Sequence, residues 1–308
     1  MLAPTHKSTK TAVTLQKKHG VSFALGVALF ALVFAFAYSF AVDQLHRKAE
    51  FAESNFQANL LRLGEFLHGS NPSGAVLVGS SMSARLLPSF FQDLHPSNLA
   101  LDGSSGRTGL RFLIDSKRPL RVVLIEENTI TRPSGDNEAL LIEATREPQM
   151  RAAGWLPFLR AAYRPSSIVY SALKKWTDQT RGAPAAALNP SVAAPVNIST
   201  ADRESVERNL RRAVEMIHIL REKGTQVLIY RLPMGQRQPG PNALHQALPE
   251  VPFVDVEAEL KTLGHVPCYS DGMHLVAPSA RFAAQVLENA LAKSGLLSRT
   301  NPPTSSGL

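Results

Sequence analysis

Cysteine is almost absent from this chain: Cys268 is the single thiol in 308 residues. One cysteine excludes an internal disulfide and any cysteine-rich metal site. No acidic residue precedes Asp43, and no charged side chain of either sign falls between Val21 and Val42. Internal repeats are missing too, which excludes a solenoid or propeller. A strongly basic surface is missing as well. The formal net charge is +8, but four of those charges are Lys7, Lys10, Lys17 and Lys18 at the amino terminus. What remains is weak and dispersed, and nucleic acid is not an expected partner.

The uncharged run at 21–42 is dominated by Ala, Val, Leu and Phe. At about 1.5 Å per residue it reaches about 33 Å, enough for a hydrocarbon core of about 30 Å. The four lysines precede it without an acidic residue, whereas Asp43, Arg47, Lys48 and Glu50 nearly cancel after it. The positive-inside rule therefore predicts a cytoplasmic tail at 1–20, a single inner-membrane span, and a periplasmic or otherwise extracytoplasmic remainder. Ser39-Phe40-Ala41 resembles a signal-cleavage site. The apolar run exceeds the roughly 7–15 residues of a signal peptide's core, so an uncleaved anchor is expected.

Residues 43–70 read as a helix leaving the membrane, with Phe51, Phe56, Leu60, Leu61 and Leu63 apolar. Residues 43–73 are thus expected to be a juxtamembrane helix and linker, with a Gly-Ser-Asn-Pro-Ser-Gly break at 69–74 opening the main domain at 74–297. Strand-like apolar runs occupy 75–79, 97–101, 121–126, 226–232 and 252–256. They alternate with amphipathic helices, the clearest at 202–223, where Glu204/Arg208 and Glu207/Arg211 are i,i+4 pairs. A last helix follows Pro278-Ser279 and stops at Gly295. This pattern predicts an α/β domain of three layers, with a parallel sheet covered on both faces.

Residues 130–200 break the alternation and form an expected insertion. Arg146, Arg151, Arg160, Arg164, Lys174 and Lys175 are interleaved with Trp155, Phe158, Tyr163, Tyr170 and Trp176, followed by an Ala/Pro-rich stretch at 182–195. Its aromatics either pack onto the core or form a cap that meets sugars or lipid headgroups. Residues 298–308 are expected to be disordered.

Chemistry concentrates in two distant segments. Ala75-Val76-Leu77-Val78-Gly79-Ser80-Ser81 places a serine just after a strand, and Ser270-Asp271-Gly272-Met273-His274 offers an Asp and a His three residues apart. In an open α/β sheet ligands bind at the carboxyl ends of the strands. There His274 can act as base for the Ser81 hydroxyl, with Asp271 holding its other ring nitrogen. Each motif alone is weak, since serines after strands are usually turn formers. Ser80 and Ser83 are fallback nucleophiles. Cys268 fits a small packed residue better than a thiol nucleophile. Glu126 and Glu127 are adjacent on a strand and point to opposite faces, which excludes paired carboxylate catalysis. Gly103–Gly109 lacks the lysine of a phosphate-binding loop. Gly79-Ser80-Ser81-Met82-Ser83 lacks the Gly-x-Ser-x-Gly elbow of α/β-hydrolases.

Two further strand ends complete a pattern: Asn98-Leu99-Ala100-Leu101-Asp102-Gly103 and Val122-Val123-Leu124-Ile125-Glu126-Glu127-Asn128. With the Ser81 and Asp271/His274 segments, residues 74–294 resemble the SGNH (GDSL-type) hydrolase family in block order. The resemblance implies a flavodoxin-like sheet of about five parallel strands. It also implies Ser81 as nucleophile, Asp271 and His274 as its partners, and an oxyanion hole from the Ser81 N–H, the Gly103 N–H and the Asn128 amide. Two blocks depart from the family: Ser80 stands where Asp is usual, and Glu126 and Thr129 replace the outer members of Gly-x-Asn-Asp.

Resemblance and anchor together imply a serine esterase or O-acyltransferase without cofactor or metal, acting on acyl, chiefly acetyl, esters of envelope carbohydrate. A multi-span membrane acyltransferase is the implied partner. The altered blocks motivate an alternative, a catalytically silent scaffold or glycan-binding component of an export complex. The basic aromatic insertion motivates another, a lipid-acting esterase.

Overall fold

A computed structural model of the chain describes residues 9–45, 48–49, 52, 54–69, 73–132, 136–181, 200–235 and 243–296. The expected cytoplasmic tail lies outside them up to residue 8, as do the Ala/Pro-rich stretch at 182–195 and the expected disordered tail.

Helix α1 spans Thr9–Gln44 and α2 spans Asn55–His68. Strand β1 (Ala75–Gly79), β2 (Ser97–Ala100), helix α3 (Gly106–Ser116) and β3 (Val122–Glu126) follow. The insertion contributes α4 (Asp136–Arg146), α5 (Pro148–Ala152) and α6 (Pro165–Arg181). After it come α7 (Thr200–Glu222), β4 (Gln226–Arg231), α8 (Ala243–Ala247), β5 (Phe253–Asp255), α9 (Val256–Thr262) and α10 (Ala277–Lys293). All strand pairs are parallel, in the order β2-β1-β3-β4-β5. This α/β architecture is consistent with a flavodoxin-like fold, and all five strands fall where the apolar runs place them.

Alternation along each strand builds the two covering layers. Ala75, Leu77, Val122, Leu124, Leu228 and Tyr230 face one side and pack with Leu260 of α9 and Leu287 of α10. Val76, Val78, Val123, Ile125, Val227 and Ile229 face the other and pack with Leu63, Leu110 and Ile217 of α2, α3 and α7. Burying each such aliphatic side chain contributes about 1.5–3 kcal/mol. Helix α10 ends at Lys293, and Gly295 takes a φ of 71° just beyond it.

The sequence reading needs three corrections. Residues 43–70 are not one helix: α1 ends at Gln44, and α2 begins at Asn55, where Ser54 Oγ accepts the Gln57 N–H at 3.2 Å. Nor does α2 stand apart from the main domain expected from residue 74, because Leu63 and Phe66 are fully buried in its core. Gly103–Gly109, read with the family resemblance as the oxyanion loop, is only half loop, since α3 starts inside it at Gly106. A Cβ at Gly109 would come within 2.8 Å of Val78 Cγ1, so glycine lets α3 lie close on the sheet.

One helix among the described residues is long and apolar enough to cross a membrane: Val21–Gln44, within α1. The aromatics of the insertion divide. Tyr163 is buried, whereas Trp155 and Trp176 are exposed.

Candidate active site

The order β2-β1-β3 makes the carboxyl ends of β1 and β3 a topological switch point, where open α/β sheets form their crevice. Gly79 ends β1 there and Glu126 ends β3. Ser81 sits two residues past β1, before a 3-10 turn at Ser83–Arg85.

The loop from Tyr269 to Leu275 delivers the other two groups. An isolated antiparallel bridge pairs those two residues, and the Ser270 N–H donates to the His274 carbonyl at 2.8 Å. Between them Asp271 Oδ1 accepts the N–H groups of Met273 and His274 at 3.1 and 2.8 Å. Asp271 Oδ2 lies 2.6 Å from His274 Nδ1, and His274 Nε2 lies 2.9 Å from Ser81 Oγ. A proton on Nδ1, donated to the carboxylate, leaves Nε2 to accept from the serine. Burial pushes the Asp271 carboxyl up, but the His274 N–H, the His274 ring and the Met273 N–H outweigh it and hold it at about 2. The carboxylate therefore stays ionised and ready to balance an imidazolium.

The turn that carries Ser81 is held from beneath by a buried carboxylate. Glu126 Oε2 accepts the Ser80 N–H at 2.9 Å, the Ser83 N–H at 3.3 Å and the Ser83 hydroxyl at 2.5 Å. Its Oε1 accepts from Ser80 Oγ at 2.8 Å and Thr129 Oγ1 at 3.3 Å. Since Ser83 Oγ donates to Glu126, the Tyr230 hydroxyl 2.6 Å away is the donor to Ser83. Burial and the Glu126 charge push that hydroxyl well above its usual range, so it keeps its proton. Gly79 permits this approach, because a Cβ there would meet Glu126 Oε2 at 2.5 Å. Ser80 and Ser83, the fallback nucleophiles, are thus committed to Glu126 and buried. Asn98 secures the far side of the turn, donating to the Leu86 carbonyl at 3.0 Å.

Gly103 follows β2 in a left-handed conformation, φ +72°, that glycine adopts without strain. Helix α2 fixes the residue before it. Asn59 accepts the Asp102 N–H at 2.7 Å and donates to the Asp102 carbonyl at 3.0 Å, while Arg62 binds the Asp102 carboxylate at 2.8 Å. Neither the Ser81 nor the Gly103 N–H has a protein acceptor among the described residues. Asn128, just past β3, pairs through its amide with the Leu232 backbone, donating at 2.9 Å and accepting at 2.8 Å. One amide N–H of Asn128 is spent there, leaving the second for any oxyanion.

The structure thus joins Ser81, His274 and Asp271 directly, and places Gly103 and Asn128 at the ends of the two strands flanking β1. Glu127 points away from Glu126 and accepts the Leu244 N–H of α8 at 2.7 Å. Cys268, expected to be a small packed residue, is instead exposed, and its N–H donates to Ser279 Oγ. Sequence reasoning did not find Glu126, Tyr230, Asn98 or Asn59 as site-forming. Asn98 carried the one usable signal, a polar residue beginning an otherwise apolar run. A cavity of about 1110 Å³ opens beside Leu120 and Thr225 at the amino-terminal ends of β3 and β4, far from this chemistry. No group of three or more His, Cys, Asp or Glu suited to a metal occurs among the described residues. No family model, curated protein or solved structure matches the chain.

Proposed function

We propose that this chain is a membrane-anchored serine esterase or O-acyltransferase of SGNH type. The observation that carries the reading is the continuous relay from Ser81 Oγ through His274 to Asp271, at 2.9 and 2.6 Å. His274 Nε2 takes the hydroxyl proton as Ser81 Oγ attacks an ester carbonyl. Asp271 stabilises the imidazolium, and the same proton then goes to the departing alcohol. The negative oxygen of the tetrahedral intermediate is met by the Ser81 and Gly103 N–H groups and the second amide N–H of Asn128, each such donor being worth about 3–4 kcal/mol. Water releases the acyl group as acid; a sugar hydroxyl carries it on as a new ester.

The departures from the SGNH pattern compensate one another, which supports an active site over a silent scaffold. Ser80 stands where that family has an acid, and Glu126 brings a carboxylate from the neighbouring strand to the same turn. The anchor and the four lysines before it support a periplasmic domain on the inner membrane. That setting supports acetylated envelope carbohydrate as substrate, with a multi-span membrane acyltransferase as partner.

A fluorophosphonate probe tests the nucleophile: wild type labels and Ser81→Ala does not. Absence of labelling on correctly folded wild type refutes the reading. Acetate release from an acetylated polymer, with and without acceptor sugar, then separates hydrolysis from transfer.

A further inference from the structure

We infer that the segment from α5 through α6 is seated in the outer leaflet of the bilayer that α1 crosses, so that its partner is the lipid surface itself. The inference rests on reading α1 as a membrane anchor. Helix α6 is inside out: Ser167 and Ser171 are buried, whereas Val169, Leu173 and Trp176, at i, i+4 and i+7, are 58, 56 and 62% exposed. In water an amphipathic helix turns that stripe inward. Trp155, just past α5, is 86% exposed.

Helix α1 shows what meets this face. Its residues from Val21 to Phe34 are exposed all round, but Ser39 and Val42 are buried. The cover is the insertion. Phe158 meets Phe36 edge to face at 6.1 Å, Tyr163 Oη donates to Asp43 Oδ1 at 2.7 Å, and the Ala49 N–H donates to the Ala162 carbonyl at 2.9 Å. The bare stretch from Val21 to Phe34 reaches only about 21 Å, short of a hydrocarbon core of about 30 Å. The covered turns must therefore enter the membrane for α1 to cross it, and they carry Phe158 and its neighbours with them. Exposed Arg151 and Arg164 flank the aromatics, as cations do at headgroup depth. Gln57 of α2 also donates to Ser167 of α6 at 2.8 Å. The helix that holds the Gly103 loop is thereby tied to the seated segment.

Trp155 and Trp176 are the only tryptophans in the chain, so its indole fluorescence reports this surface alone. The full chain is reconstituted into phosphatidylcholine/phosphatidylglycerol vesicles, with and without lipid brominated near the headgroup end of its acyl chains. Loss of most of the emission in brominated vesicles is expected, both for wild type and with either tryptophan alone (Trp155→Phe, Trp176→Phe). A Val169→Asp/Leu173→Asp variant, altered only on the exposed stripe, is expected to recover Trp176 emission. Unquenched emission from a chain that resists carbonate extraction overturns the inference and leaves the face to a protein partner. A chain that carbonate extracts overturns the anchor reading, and this inference with it.

Discussion

Glu126 grips Ser80 twice, one carboxylate oxygen accepting its N–H at 2.9 Å and the other its hydroxyl at 2.8 Å. Both residues are buried, so the pair joins the ends of β1 and β3 in a low-dielectric site where a lost partner is expensive. The next residue along is Ser81, whose Oγ must hold its place against His274.

Glu126→Gln tests that grip. An amide puts a donor where the carboxylate accepted from two N–H groups and three hydroxyls. Stability is expected to fall by about 1–3 kcal/mol in urea denaturation. The labelling rate of Ser81 by a fluorophosphonate is expected to fall by about 10²-fold, the scale of a small misplacement of a reacting atom. A variant that loses stability but labels at the wild-type rate would show that the carboxylate serves the fold alone.

Asp271→Asn separates charge from shape. Its remaining carbonyl oxygen still accepts the N–H groups of Met273 and His274, so the loop persists, but the amide can now donate to Nδ1 and select the wrong imidazole tautomer. A loss of about 10⁴-fold in kcat with little change in KM is expected. The wild-type carboxyl is depressed to about 2 in the folded protein. Its stabilisation is therefore full above the unfolded value of about 4 and fades as pH falls through about 2. Denaturation midpoints of wild type and Asp271→Asn should differ at pH 5 and converge towards pH 2.

The legible parts of the sequence were those governed by local pattern. Strands β1 and β3 are buried along their whole length and so read as unbroken apolar runs, and Asp271 and His274 share one short loop whose spacing alone suggests a contact. Helix α2 was misplaced because amphipathic spacing at Leu60 and Leu63 shows that a helix has an apolar face, not what covers it. Alternation correctly sent Glu126 and Glu127 to opposite faces. It gave no sign that Glu126 would meet Ser80 and Ser83, a contact set by the pairing of β1 with β3. Helix α3 stayed hidden because glycines at 106 and 109 are poor helix formers; Gly109 lies close against Val78 of β1, and Gly106 against Ile130 and the Glu126 carbonyl.

Gly235→Ala addresses the loop that carries the imidazole. The new Cβ would lie 2.8 Å from the Gly272 carbonyl and 2.9 Å from the Tyr269 ring, and Gly272 stands between Asp271 and His274. Because backbone must give way, the loop is expected to shift while the sheet beneath it stays. Overpacking of this kind costs about 1–3 kcal/mol. The discriminating measurement is amide hydrogen exchange at residues 269–275, which should accelerate while β1 and β3 remain protected. Unchanged exchange in an active enzyme would count against tight seating of this loop.

Asn59→Ala reaches the candidate oxyanion loop from the other side. Asn59 is buried on α2 and makes both hydrogen bonds to the Asp102 backbone, next to Gly103. Removing it strands one backbone donor and one acceptor, at a cost of about 1–3 kcal/mol. If the Gly103 N–H receives the developing oxyanion, this variant loses kcat more than it raises KM, since the interaction is made only in the transition state. Asn59→Asp keeps the acceptor for the Asp102 N–H but not the donor to its carbonyl, and is expected to fall between Ala and wild type. Equal loss of kcat in both variants, with KM unchanged, would assign the role to the donor alone. A wild-type kcat in Asn59→Ala would remove the Gly103 loop from the mechanism.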